Sequence, residues 1–208
     1  KGKRQIIGST AVHIFGVNPD TGEVEWEYEG WGSDRNATGW DSIAPNTPLF
    51  KDGKIFFGHG YNINSYMLQL SDDMKSVKLL WKNEVMDTHH GGYVEIDGVI
   101  YGSNHHNNNQ GTWIALDWNT GQTLYDHNWE NKSKGSIIAA DGMLYCYNER
   151  NGAVALVKFS WFSILYHTGL SFHFMPPMIC AFTRSSMSAM IAAFTSAKVS
   201  CDNCFLGR

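Results

Sequence analysis

Three stretches of the chain gather side chains that could ligate a metal or hydrogen-bond a polar ligand: His59-Gly60-Tyr61-Asn62-Ile63-Asn64, Asp87-Thr88-His89-His90, and Asn104-His105-His106-Asn107-Asn108-Asn109-Gln110. A fourth, residues 31–41, adds Trp31, Arg35, Trp40 and Asp41. Imidazoles and carboxylates converging from separate loops could hold zinc, copper or iron, with His89, His105 and His106 as candidate ligands. The competing chemistry is a polar pocket. In it His59, Asn62, Asn64, His89, His90, Asn104, His105, His106, Asn107 and Arg35 supply hydrogen bonds, and Trp31, Trp40 and Trp113 supply apolar walls, a lining suited to a sugar or other polyhydroxy ligand. Adjacent histidines rarely turn both rings to one ion, and His, Asn and Gly are ordinary loop residues, so the pocket is the stronger of the two readings. Asp41 and Asp87 are the candidate general bases, against the common use of loop aspartates as turn caps.

Something must bring these stretches together. Hydrophobic residues at 43% and charged residues at 17% exclude a disordered chain. A net charge of −4, with no basic run beyond Lys1-Gly2-Lys3-Arg4, excludes a nucleic-acid surface. Aromatics at 13%, alongside 21 glycines, suit short strands joined by tight turns, so the class is all-β. Asp-Gly pairs recur at Asp52-Gly53, Asp97-Gly98 and Asp141-Gly142, 45 and then 44 residues apart, each followed by a strand-like run. Asp-Gly between such runs signals a hairpin whose two central residues have positive φ. A second turn signal ends in Thr-Gly, at Thr21-Gly22 and Thr120-Gly121, with an aromatic four residues on at Trp26 and Tyr125; a degenerate copy runs from Asp72-Asp73 to Trp81.

One unit then reads as strand A (92–96), strand B (99–102), a loop, strand C (113–117) and strand D (122–125). Four strands in about 44 residues is a β-propeller blade. The chain holds the end of one blade to Trp26, two whole blades (47–81 and 89–125) and most of a fourth (136–158), an incomplete propeller of about three to four blades. In the run Glu23 to Glu29, the alternation turns Val24, Trp26 and Tyr28 inward and the glutamates to water.

The segments Val17-Asn-Pro-Asp-Thr-Gly-Glu-Val-Glu-Trp26 and Ala115-Leu-Asp-Trp-Asn-Thr-Gly-Gln-Thr-Leu-Tyr125 resemble the tryptophan-docking repeat of PQQ-like (quinoprotein alcohol dehydrogenase-like) β-propellers, over about residues 10–158. In such blades the A–B and C–D turns share one end, while the B–C loops and D–A crossovers share the other, where the His- and Asn-rich stretches fall. The resemblance implies a periplasmic or extracellular place and either a cofactor-free binding or scaffold propeller or, alternatively, a fragment of a PQQ-dependent alcohol or sugar dehydrogenase. The dehydrogenase reading implies PQQ, calcium, a catalytic Asp and often adjacent cysteines. No adjacent cysteine pair occurs, and the candidate oxygen donors Asn46, Asn62, Asn104, Asp41 and Asp87 follow no pattern of that site. The balance therefore falls against an enzyme, and no cofactor is assigned outside the dehydrogenase reading. Expected partners are a small polar ligand or a protein.

After Lys158 the periodicity stops. Residues 159–208 carry only Arg184, Lys198, Asp202 and Arg208 as charges. The domain reading is a partial propeller over 1–158 and an atypical uncharged tail over 159–208, out-of-frame or foreign, disordered or helical. The stretch 159–183 has the length of a membrane span, but Pro176-Pro177, His167 and His173 interrupt it, which argues against one. Cys201 and Cys204 read as free thiols. A truncated propeller exposes blade edges, so association through those edges is expected. The glycosylation sequons at Asn36 and Asn131 are given no weight.

Overall fold

The turn chemistry is realised residue by residue. In the computed structural model, which describes residues 3–10, 12–29, 44–61, 63–129, 131–158 and the backbone of 179–182, Asp52, Asp97 and Asp141 have φ of 52°, 52° and 50°, and Gly53, Gly98 and Gly142 follow at 75°, 84° and 73°. Such a turn matches the twist of the strands it joins. It connects β4 (Leu49–Lys51) to β5 (Lys54–Gly58), β8 (Tyr93–Ile96) to β9 (Val99–Ser103), and β12 (Ile137–Ala140) to β13 (Met143–Tyr147).

The Thr-Gly turns connect β2 (Ile14–Val17) to β3 (Val24–Tyr28) and β10 (Trp113–Asp117) to β11 (Thr123–His127). In each, one Asx oxygen caps the turn: Asn18 Oδ1 accepts from the Asp20 N–H at 2.9 Å, and Asp117 Oδ1 from the Asn119 and Thr120 N–H groups at 2.9 and 2.8 Å. The degenerate copy, between β6 (Ser65–Leu70) and β7 (Val77–Asn83), uses Ser71 Oγ and Asp73 as caps and places Met74 at φ 63°. The same class of turn also appears where the repeat does not announce it. Asn148 to Gly152 joins β13 to β14 (Val154–Lys158), with Gly152 N–H bonded to Asn148 O and Asn148 N–H to Ala153 O.

The described residues form antiparallel sheets and no helix. β1 (Ile6–Ser9), β2 and β3 make a three-stranded sheet; β4-β5-β6-β7 and β8-β9-β10-β11 make two four-stranded sheets. The fourth sheet is β12-β13-β14-β15, where β15 (Ile179–Phe182) pairs with β14. The rest of 159–208 lies outside the described residues. The chain divides into two units, 1–137 and 138–208. These are the propeller blades the repeat calls for, three in the first unit and the sheet of the second.

In the first unit, adjacent sheets stack through alternating side chains of their second strand. Ile55 and Phe57 of β5 join Ile14, Trp26, Tyr66 and Leu68 in one cluster, while Phe56 between them joins Met67, Met86, Tyr93, Ile100, Ile114 and Leu116 in the next. A strand packed on both faces must be apolar at every position, which is why β5 and β9 lack polar alternation. The tryptophans fasten neighbouring blades. Trp81 lies over Gly121, where any Cβ would overlap the indole ring, and its Nε1–H donates to Trp118 O at 3.3 Å. Trp26 reaches the degenerate turn indirectly, donating to Gln5 Oε1 at 2.7 Å while Gln5 Nε2 donates to Met74 O at 3.1 Å.

The expected alternation of residues 23–29 fails at one point. Gly16 pairs with Trp26, but Val17 pairs with Val24, so Glu25 is an extra residue in the strand. This bulge shifts the phase, leaving Val24 52% exposed and tucking Glu25 against Gln5 Nε2 at 2.6 Å. Bulges recur at the same place in the next two blades, between Met67 and Leu68 and between Ala115 and Leu116.

Candidate functional site

The loop end of the second and third blades is built on the crossover from β7 to β8. Asn83 Oδ1 accepts the Val85 and Met86 N–H groups at 2.8 and 2.9 Å, turning the chain off β7. Asn46 clamps the far side, donating from Nδ2 to Thr88 O at 2.6 Å and accepting Gly92 N–H at 3.0 Å. The Thr88 hydroxyl donates to Ser103 O. These bonds satisfy backbone groups that burial would otherwise strand, and they hold residues 87–92 in one conformation.

Residues 104–112, between β9 and β10, form a second hydrogen-bonded piece. Asn104 N–H donates to Thr112 O at 2.9 Å, Thr112 N–H donates to Asn104 Oδ1 at 2.6 Å, and His106 N–H donates to Gln110 O at 3.0 Å. The piece is tied to the crossover by the His105 N–H, which donates to the buried Asp87 Oδ1 at 2.7 Å. The third contributor is the loop after β5. A Cβ at Gly60 would lie 2.8 Å from His89 Cα, so glycine permits the close approach of loop and crossover. Tyr61 follows at φ 63°, a conformation uncommon for a bulky residue.

The three pieces meet in a triangle of rings. Tyr61 and His89 are 4.6 Å apart between centroids, Tyr61 and His105 4.8 Å, and His89 and His105 4.9 Å. His90 packs on His89 at 4.5 Å and reaches solvent. Nearby in sequence, Tyr93 OH donates to Gly58 O at 3.0 Å, and burial raises its hydroxyl far above the ordinary tyrosine range.

His89, His90 and His105 are therefore brought together. His59 is fully buried, its ring 6.4 Å from Phe57. Asn64 is half-buried, and Asn104 is buried as a loop brace. His106 is exposed, its Nε2 3.1 Å from Asn104 Nδ2. Asn107 shapes the loop tip, accepting the Asn109 N–H at 2.9 Å. Trp113 is buried, and its Nε1–H donates to Ser133 Oγ at 3.0 Å, with Trp129 at 6.4 Å. Arg35, Trp40, Asp41 and Asn62 lie outside the described residues. Among the described residues no three His, Cys, Asp or Glu side chains converge as a metal site requires. Tyr61 and Asn46 are parts of the site that the reading of the sequence did not place in the polar pocket. The signal for Tyr61 was its position between His59 and Asn62; for Asn46, which contacts the crossover through 42 residues of separation, no local signal exists.

Among the described residues, the oxygen donors that the dehydrogenase resemblance would offer to calcium are engaged in another task. Asn46, Asn104 and Asp87 each engage Oδ1 with a backbone N–H. That is loop bracing, whereas calcium requires six to eight oxygens directed at one point.

Residues 1–127 match the family described as outer membrane protein assembly factor BamB. No curated protein matches the chain. Among solved structures, BamB from Moraxella catarrhalis is similar with a TM-score of 0.51 and 15% identity, over 74% of this chain and 45% of that one. The computationally designed Ika4 protein gives 0.56 and 15%, over 77% and 88%. Sqt1 from Saccharomyces cerevisiae gives 0.56 and 13%, over 86% and 48%. The chain thus spans less than half the length of either natural neighbour, and at these identities the likeness is one of propeller fold.

Proposed function

Because the chain belongs to the family described as outer membrane protein assembly factor BamB, we propose that it is a PQQ-like binding or scaffold propeller that receives a protein segment or a small polar ligand on its loop end. The observation that carries this reading is the convergence of residues 59–61, 87–90 and 104–112 on one ring cluster, with His90, His106 and Asn107 to Asn109 presented to solvent around it. Hydrogen-bonded loops with amide and imidazole tips offer a preorganised surface at low ordering cost. The family description supports a periplasmic or outer-membrane-associated place. No helix among the described residues is long and apolar enough to cross a membrane. Exposed Leu79 and Leu80 on the edge strand β7 supply the apolar surface for association through blade edges.

The test is binding of the chain to a glycan array and to an array of peptides alternating apolar and polar residues, with wild type beside a His90→Ala, His106→Ala, Asn109→Ala triple variant. Capture by wild type that the variant loses supports the reading. Capture that survives unchanged in the variant places the binding surface elsewhere.

A further inference from the structure

We propose that the open edges of the first two blades form a self-complementary surface on which a second copy of this chain docks, the acidic edge strand β3 of each copy pairing antiparallel with the basic edge strand β7 of the other. This rests on the association through blade edges proposed above and names the partner there. It is tested with no ligand present and at residues outside the loop end, so edge pairing and loop-end capture can fail separately.

Both strands lie last in their sheets, β1-β2-β3 and β4-β5-β6-β7, so each has a strand neighbour on one side only and turns a row of backbone N–H and C=O groups outward. β3 and β7 lie side by side in one unit, and both run from the turn end to the loop end. Position by position they carry opposite charge. The bulge makes Glu25 the extra residue of β3 and Leu80 that of β7. Counted from it, Glu23 corresponds to Lys78, Val24 to Leu79, Trp26 to Trp81 and Glu27 to Lys82. The tryptophans fasten blades, while Val24, Leu79 and Leu80 are exposed beside the charges. The third such edge, β11, carries no Lys or Arg and one carboxylate, Asp126, so the contrast belongs to the first two blades. Within one chain the two edges already attract: Lys75, in the turn before β7, lies 3.9 Å from Glu25 Oε1.

A two-fold axis passing between β3 and β7 reverses strand direction and sets β3 of one copy against β7 of the other twice over, the isologous contact that such symmetry requires. Paired about Glu25 and Leu80, Glu27 comes opposite Lys78 and Glu23 opposite Lys82. Opposite charges across an antiparallel pair stabilise it, and like charges directly opposite destabilise it. Glu23 already accepts the Thr21 hydroxyl at 3.3 Å, and Glu29 lies 3.6 Å from His13 Nε2. Among the described residues neither Glu27 nor Lys78 has an ion pair, so that pairing decides the contact. The acids near β7, namely Asp72, Asp73 and Glu84, lie beyond its ends. Pairing β7 with β7 would oppose lysines, and β3 with β3 glutamates. Lysines and a bulge blunt an edge toward ordinary strands; they leave it open to an acidic strand bulged at the same place.

Sedimentation of the full chain from about 1 to about 300 µM, at low and high salt, tests this. Wild type should show a monomer–dimer equilibrium that weakens at least about fivefold between about 0.05 and about 0.5 M salt. Glu27→Lys and Lys78→Glu should each weaken self-association at least about tenfold, because each sets like charges opposite one another. The two single variants mixed should dimerise again, since each supplies the sign the other has lost. Both positions are exposed, so the variants should fold, as urea titration checks. Should either fail to, zero-length carbodiimide coupling of isotopically distinct wild-type copies decides: Glu27 of one should couple to Lys78 of the other. A monomer throughout the range, association indifferent to salt and to both reversals, mixed variants that stay monomeric, or coupling that leaves Glu27 and Lys78 unjoined would overturn the pairing.

Discussion

At one end of the second and third blades the chain reverses in two residues, through Asp52-Gly53 and Asp97-Gly98; at the other, it takes nine residues to pass from β9 to β10. The short end is determined by local backbone preference, since each positive φ falls on a residue type that accepts it. The long end is determined by distant partners: Asn46 to Thr88, Asp87 to His105, Tyr61 to His89. The difference separates stability from binding. Substitutions at the positive-φ glycines and capping residues of the turn end should damage the fold, whereas exposed tips at either end should leave stability unchanged, and only those of the loop end should alter capture.

The largest effect is expected at Gly121. Valine there meets both a positive φ of 72° and the Trp81 ring, and should cost roughly 3 kcal/mol or more of unfolding free energy, measured by urea titration. Next is Tyr93→Phe, which leaves Gly58 O without its donor at a cost of about 1–3 kcal/mol. This substitution also has a pH signature. The Tyr93 hydroxyl is raised in the folded state, so its contribution is intact below the ordinary tyrosine value near 10 and is lost as pH rises above it. Wild type should lose stability in that alkaline range more steeply than Tyr93→Phe.

A smaller effect is expected from Lys51→Met. Its ammonium bonds Glu95 at 2.6 Å across the second and third blades, which raises the lysine's pKa, but the side chain is 40% exposed and water screens the pair. The change should stay below about 1 kcal/mol by the same titration. Cys146 of the second unit gives a test without mutation. Burial pushes its thiol up to about 12, so it should resist a thiol reagent at pH 8 until the unit unfolds. Rapid labelling of the folded chain would contradict the burial seen on β13.

Much of the fold was legible because the turns carry their own instructions. The Asp-Gly recurrence located three hairpins. The bulge at Glu25 was not legible, because alternation alone does not reveal an extra residue, and Val24 was read as buried when it is exposed. The turn at Asn148 to Gly152 escaped because it lacks threonine, although Asn148 caps it as Asn18 caps its counterpart. At the site, the sequence showed which loops share an end. It did not show that His59 is a core residue, that Trp113 is closed off by Ser133, or that Tyr61 is the vertex where His89 and His105 meet. Those facts depend on side chains from segments tens of residues apart.

The central claim is that binding belongs to the loop end. It is tested most directly by measuring capture from the peptide and glycan arrays by two variants of equal stability: His90→Ala, His106→Ala, Asn109→Ala at the loop end, and Asp20→Ala, Asp72→Ala, Asn119→Ala at the turn end. The account predicts at least about tenfold weaker capture by the first and wild-type capture by the second. Loss confined to the turn-end variant would contradict it.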